Sequence, residues 1–384
     1  NPAQQKIIQD QLRDFRLAGV ALPPAKKQRY AAIQTQLAEL TSRFENNLLD
    51  STEHWTKHIT DETELAGVPE HVLAAAKNKA QEKKLTGWLL TLHFPCYYPI
   101  MCNAQNRALR QEMYTAYVTR ASEQAENTQY DNSAVMQEIM QLRQELSLLL
   151  DMKNYAELSL ATKMAKDPHE VFDFLNNLLQ RVKPQATIEL QELKAFAKQQ
   201  DNIELQVWDS TYYSEKLREQ RYQFNDETLR PYFPVTIALT GMFDLVKHLY
   251  GMEITAIKDF DTWHPDVQAF VIHDAQQKIR GHFYVDLYAR DQKRGGAWMD
   301  DYCSRFLSNH TLQTPVAYLT CNLTPPAADK PALLTHEEVS TLFHEFGHGL
   351  HHMLTQINYA SVAGINGVEW DAVELPSQFM EFFT

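Results

Sequence analysis

The chain has 384 residues, 44% hydrophobic and 22% charged, an ordinary globular composition with room for two or three domains or one large interwoven one. A formal charge of −13 argues against nucleic acid or an anionic membrane as partner, because phosphate contacts need clustered Lys and Arg. No run of roughly 18 apolar residues exists to span a bilayer, and Cys96, Cys102, Cys303 and Cys321 are scattered without C-x-x-C pairing, which fits a reducing, cytoplasmic setting.

Glycine is sparse and uneven. Of 12, only Gly19, Gly67 and Gly87 precede Gly241, and the others crowd between it and Gly367. The first part should therefore be long helices with few positions at φ > 0, and the last part tight turns or close backbone approaches. Both ends look cut: residues 3–17 are already amphipathic, and Thr384 directly follows Phe379, Phe382 and Phe383. The expectation is an internal piece of a longer protein.

Helical patterns dominate to about residue 250. Ile33, Leu37, Leu40, Phe44 and Leu48 form one apolar stripe. Val171, Phe174, Leu175, Leu178 and Val182 form another, behind an Asp167-Pro168 start, and Ile188, Leu190, Leu193 and Phe196 follow Pro184. Such stripes are expected to face a core. No repeat or low-complexity linker marks a boundary. After Tyr250-Gly251, two alternating runs, Val267 to His273 and Ile279 to Leu287, read as a β-hairpin. Lys293 to Gly296 reads as a turn, Asp300-Asp301 as a solvated turn or helix cap, and Val316 to Leu323 as a third strand closed by Pro325-Pro326. The coarse division is a helical body over 1–250 and a sheet with site helices over 251–384.

Thr335 to Leu354 is the most informative helix. Thr335 and Glu338 form a capping box, and Val339, Leu342, Phe343, Phe346, Leu350 and Met353 share one face. Opposite them lie His344, His348 and His351. His344-Glu345-Phe346-Gly347-His348 is H-E-x-x-H, whose i, i+4 imidazoles stack as a tetrahedral zinc needs, with Glu345 projecting to one side. The bland alternative is a solvated polar face. Against it stand the phase and two mid-helix glycines, Gly347 and Gly349, each costing about 1 kcal/mol relative to Ala. Something must approach that backbone closely.

A catalytic zinc takes three protein ligands and a water. Positions 351 and 354 hold His351 and Leu354, so a third histidine at metzincin spacing is absent. Glu369, Asp371, Glu374 and Glu381 are the candidates for the third ligand. Spacing favours Glu374, which follows a glycine-containing loop and precedes Pro376 at the start of an amphipathic segment.

HEFGHGLHHML followed by WDAVELPSQFME resembles the thimet oligopeptidase/neurolysin family of zinc metallopeptidases. RPYFP (230–234), GHFYVDLYAR (281–290), KRGGAWMDD (293–301) and PVAYLTCN (315–322) extend the resemblance over about residues 228–384. It implies a mainly α fold, a zincin-type, neurolysin-like two-lobed ellipsoid split by a deep channel, with a small sheet beside the zinc helix. It also implies one Zn²⁺ per chain on His344, His348 and Glu374, with Glu345 as general base. Ala317, Tyr318, Leu319 and Thr320 would lie on the edge strand that receives extended peptide. The implied activity is hydrolysis of internal bonds in short unfolded peptides by a monomer, with dipeptidyl carboxypeptidase as sister activity. The family continues past this segment with further substrate-holding residues, so an inert peptide-binding fragment is the competing reading. His351 is expected to pack or to hydrogen-bond near the ligands rather than ligate. Asp371 either orients a ligand imidazole or caps the following segment, and Cys321 is a small packed residue.

Overall fold

A computed structural model describes residues 1–326 and 331–384. Helices α1 (Pro2–Leu17) and α2 (Pro24–His54) open the chain. A two-stranded ribbon, β1 (Thr56–Ile59) with β2 (Trp88–Thr91), brackets α3 (Glu70–Glu82), and α4 (Phe94–Asn103) and α5 (Arg107–Val118) follow. Leu90, Ile100, Leu109 and Met113 close the core of that unit. Helix α6 (Ser133–Leu149) packs on α2, where Ile33 and Leu40 meet Val135, Leu142 and Leu146, as the first apolar stripe predicts.

Helices α7 (Tyr155–Leu160) and α8 (Pro168–Asp201) come next, α8 starting on the Asp167 cap and continuing through Pro184. The second stripe does not face a core. Phe174, Leu175, Leu178 and Val182 are all exposed, and α8 is buried only near its end, where Leu193, Phe196 and Ala197 pack on Tyr213 of α9 (Ser210–Tyr222). Periodicity reports a face suited to burial, not the presence of a neighbour. The glycine count misled in a related way. Lys84, Ala121, Asp151, Asn202 and Gln223 all adopt positive φ, the last two as left-handed caps of α8 and α9. A short helix α10 (Asp226–Leu229) leads to α11 (Val235–Tyr250).

The remaining elements are β3 (Glu253–Ile257), β4 (Gln268–His273), β5 (Ile279–Tyr288), β6 (Trp298–Cys303), β7 (Phe306–Ser308), β8 (Thr311–Gln313), β9 (Val316–Leu323), α12 (His336–Met353) and α13 (Leu375–Glu381). The five-stranded sheet runs β3-β4-β5-β9-β6, parallel only between β5 and β9. The strand VAYLTCNL forms where expected, but it is interior: Ala317, Tyr318, Leu319 and Thr320 pair with β5 on one side and β6 on the other. The sheet's edges are β3 and, on the side of β9, β6, and Asp300-Asp301 lies within β6 rather than in a turn or cap. A β-hairpin returned by β7 and β8 separates β6 from β9 in sequence, so β9 comes last yet inserts between β5 and β6.

Helix α12 lays its apolar face on this sheet. Phe346 meets Phe283 of β5 at 5.3 Å between ring centres, and α11 completes the core through Met242 and Val246. The fold is mainly helical with one small sheet beside the H-E-x-x-H helix. No helix among the described residues is long and apolar enough to cross a membrane.

Candidate metal centre

Helix α12 starts as its capping box predicts: Glu338 N–H donates to Thr335 Oγ1 at 3.1 Å, and Thr335 N–H to the Glu338 carboxylate at 2.8 Å. Glu338 also accepts from Thr324 just after β9, which ties the helix start to the sheet. With the apolar face fixed on the strands, the opposite face carries His344 and His348 toward α13. That helix approaches over Gly347, where a Cβ would lie 2.5 Å from Pro376 O and 2.6 Å from Ser377 Cα. The close approach inferred from the glycine is therefore α13 itself. A second helix backbone touches α12 there, bringing with it the residue at its N-cap, Glu374.

His344 Nε2 and His348 Nε2 each lie 3.1 Å from Glu374 Oε2, and the three residues' ligand atoms all fall within 4.8 Å of one another. Zn–N and Zn–O bonds of about 2.0–2.1 Å at tetrahedral angles put ligand atoms roughly 3.3 Å apart, so this N₂O set fits zinc. Glu374 accepts from Ser377 Oγ at 2.8 Å, which orients the carboxylate. Its side chain is half exposed, so the centre opens toward solvent. Burial holds His348 below its usual pKa, in the neutral form that ligates. His344 Nδ1, turned away from Glu374, donates to Glu381 at 2.5 Å. Glu381, one of the four carboxylates left open by spacing, thus sits behind a ligand rather than among them.

Glu345 is buried beside this set, and its Oε2 has no partner among the described residues. Burial pushes its carboxyl up to about 7, against the pull of His344, while Glu374 raises it further and the Met299 backbone N–H of β6 lowers it. A divalent cation on its neighbours favours the carboxylate. The edge strand and the would-be base are therefore adjacent.

Two expected positions resolve differently. Asp371 orients no imidazole: it accepts from the backbone N–H groups of Met164 and Ala165, capping the loop before α8 from across the fold. His351 remains near the ligands in sequence, but its buried Nδ1 finds no partner among the described residues. His352, by contrast, is fully buried and donates from Nε2 to Cys303 O at 3.1 Å, at the end of β6. Sequence reasoning missed β6. Its Asp-Asp pair hid it, and the one available sign was its place in the KRGGAWMDD match.

North of the metal set on the same face of α12, Glu337 and Thr341 border a cavity of about 1100 Å³. Its other walls come from α2, α4 and α6, through Phe44, Tyr98 and Met140, and from the loop at Gly295.

A model described as Peptidase family M3 matches residues 100–384. Oligopeptidase A of Escherichia coli is 56% identical over 384 residues, taking in 99% of this chain and 56% of its own length. A protein of Arabidopsis thaliana named probable cytosolic oligopeptidase A is 42% identical over 395 residues, with 99% and 56% covered. Dipeptidyl carboxypeptidase of Escherichia coli is 35% identical over 370 residues, with 96% and 54% covered. The chain spans about half the length of the curated relatives it matches. Matched from residue 100 to its last residue by the family model, and end to end by individual relatives, the chain belongs to Peptidase family M3.

Proposed function

We propose that this chain carries the zinc-binding and proton-transferring core of an oligopeptidase that hydrolyses internal bonds of short, unfolded peptides. The observation that carries the reading is the convergence of His344 Nε2 and His348 Nε2 on one oxygen of Glu374, with buried Glu345 alongside. His344, His348 and Glu374 would hold one zinc ion. That ion supplies Lewis acidity, polarising a peptide carbonyl and making water acidic enough to act near neutral pH.

Glu345 then has one task in two parts. It takes a proton from the water whose oxygen bonds to the carbonyl carbon. It returns that proton to the amine nitrogen as the C–N bond breaks. Burial favours the protonated carboxyl and a cation on the neighbouring residues favours the carboxylate, so the two forms are set against each other at Glu345. The free edge of β6, next to Glu345, offers main-chain groups to an extended peptide by β-augmentation, the role the resemblance assigned to β9. The cavity north of the site accommodates a short chain rather than a folded domain.

The two-part division at residue 250 is retained as interleaved regions of one enzyme, supported by α11, which precedes the boundary yet shares the core of the sheet beyond it. The reading extends to a monomer acting in the cytoplasm, supported by four free thiols and by a relative named as cytosolic.

The test pairs metal analysis with cleavage of an internally quenched nonapeptide, on this chain and on a longer one. Zinc and internal cleavage are expected in the longer chain, and Glu345→Gln there should keep zinc while losing roughly 10²–10⁴ in rate. Near-wild-type cleavage by that variant would sink the role of Glu345. Metal and cleavage absent from both chains would leave an inert peptide-binding fragment. Release of C-terminal dipeptides alone would favour the dipeptidyl carboxypeptidase activity, against the higher identity to oligopeptidase A.

A further inference from the structure

The KRGGAWMDD segment enters the chemistry above only through the backbone of β6, yet it also holds a buried lysine. Lys293 is 8% exposed on the loop between β5 and β6. Its ammonium has three N–H groups and four acceptors within reach: Asp286 O at 3.0 Å, Asp286 Oδ1 at 2.9 Å, Tyr288 O at 2.8 Å and Cys321 O at 2.6 Å. These carbonyls lie where the β5–β9 ladder slips. Asp286 pairs with Thr320, but Tyr288 pairs with Leu323, so the backbone between them leaves the regular pattern. Lys293 satisfies carbonyls of both strands at that irregularity. Its charge is matched by Asp286, which Arg290 grips with two nitrogens at 2.7 and 2.8 Å and Trp263 Nε1 bonds at 3.0 Å.

Asn322, one residue beyond Cys321, is the second member. Its Nδ2 donates to Arg294 O at 2.8 Å and Gly296 O at 2.6 Å, on the loop that turns into β6 at Trp298. At the far end of β6, His352 bonds Cys303 O, and Asn366 Nδ2 donates to Asp301 Oδ2 at 3.0 Å. A strand with one paired neighbour is the least constrained in a sheet. Here it is pinned by side chains at both ends.

We propose that Lys293 and Asn322 are positioning residues for peptide substrate: by pinning the β5–β9 slip and the 294–296 loop, they set the free edge of β6 against Glu345. A peptide paired to β6 then presents one carbonyl to the His344–His348–Glu374 set. The inference rests on the peptidase reading and deepens it.

Asn322→Ala and Asn322→Asp test it in the zinc-loaded full chain, because among the described residues the Asn322 side chain bonds only to the exposed 294–296 loop, and its loss leaves the core intact. The Asp variant keeps the size but cannot donate. Both should raise KM for the quenched nonapeptide roughly tenfold, with kcat and zinc content near wild type. Backbone amides of Trp298–Cys303 should exchange faster, with those of β4 unchanged. Lys293→Met should act in the same direction, its thermal stability recorded alongside. Unchanged KM, wild-type behaviour of Asn322→Asp, or kcat falling only with the folded fraction would overturn the proposal. If neither this chain nor the longer one cleaves peptide, the peptidase reading fails, and the exchange measurement decides the pin alone: unchanged protection of β6 refutes it.

Discussion

Glu374 and Glu381 are seven residues apart on α13 and meet the same histidine from opposite sides. Glu374 faces His344 Nε2, and Glu381 accepts from Nδ1, which fixes the tautomer that leaves Nε2 free to ligate. Glu381→Ala should weaken zinc binding by roughly 10–100-fold, measured by chelator competition, with Glu381→Gln between it and wild type. Equal affinity in all three would remove Glu381 from the site. The H-E-x-x-H pair was legible because i, i+4 geometry is carried by the helix itself. The third member of the set was less so: spacing favoured Glu374 among four carboxylates and the resemblance named it, but the path of the chain after α12 is what brings it there. That path sends Asp371 to Met164 and Ala165 and brings Glu374 to the histidines.

Between elements, the contact that makes the centre is α13 against α12 over Gly347. In an isolated helix Gly347→Ala would add about 1 kcal/mol of stability. Here the new Cβ would press on Pro376 O and push Glu374 outward. The variant should therefore lose zinc affinity and lower Tm, and a raised Tm with full zinc content would disprove the packing argument. Apolar stripes give a second contrast. Leu40→Ala, in the α2–α6 core, should cost about 2–5 kcal/mol in chemical denaturation, whereas Leu178→Ala on exposed α8 should stay within about 0.5 kcal/mol. The two positions look alike in sequence, and only the presence of a packing partner distinguishes them.

Across the whole molecule, buried carboxylates hold distant segments together. Burial works to raise the pKa of Asp286, but Arg290, Lys293 and Trp263 overturn that and hold it well below the usual range. Asp209 behaves likewise: desolvation is outweighed by Arg107, the Gln206 backbone N–H and Arg110, tying α5 to the turn before α9. Both folded-state values lie below the unfolded value of about 3.9. Their stabilisation is therefore present above that pH and is lost as pH falls through the lower folded-state values. Stability followed by circular dichroism should drop steeply below about pH 4, and Asp286→Asn should be less stable at neutrality with a shallower acid limb. An unchanged slope would remove Asp286 from acid sensitivity. By itself the sequence determined what is local: the helical first half, the capped H-E-x-x-H helix with its greasy face, the β4–β5 hairpin and the strand at Val316. These follow from periodicity, caps and turns within a few residues. Only the tertiary structure decided that β9 is interior and β6 an edge, and that α8 lies bare, and it brought to the histidines the Glu374 that spacing favoured and the resemblance named. Those outcomes depend on pairings between residues far apart in the chain, and no local pattern encodes which partner arrives.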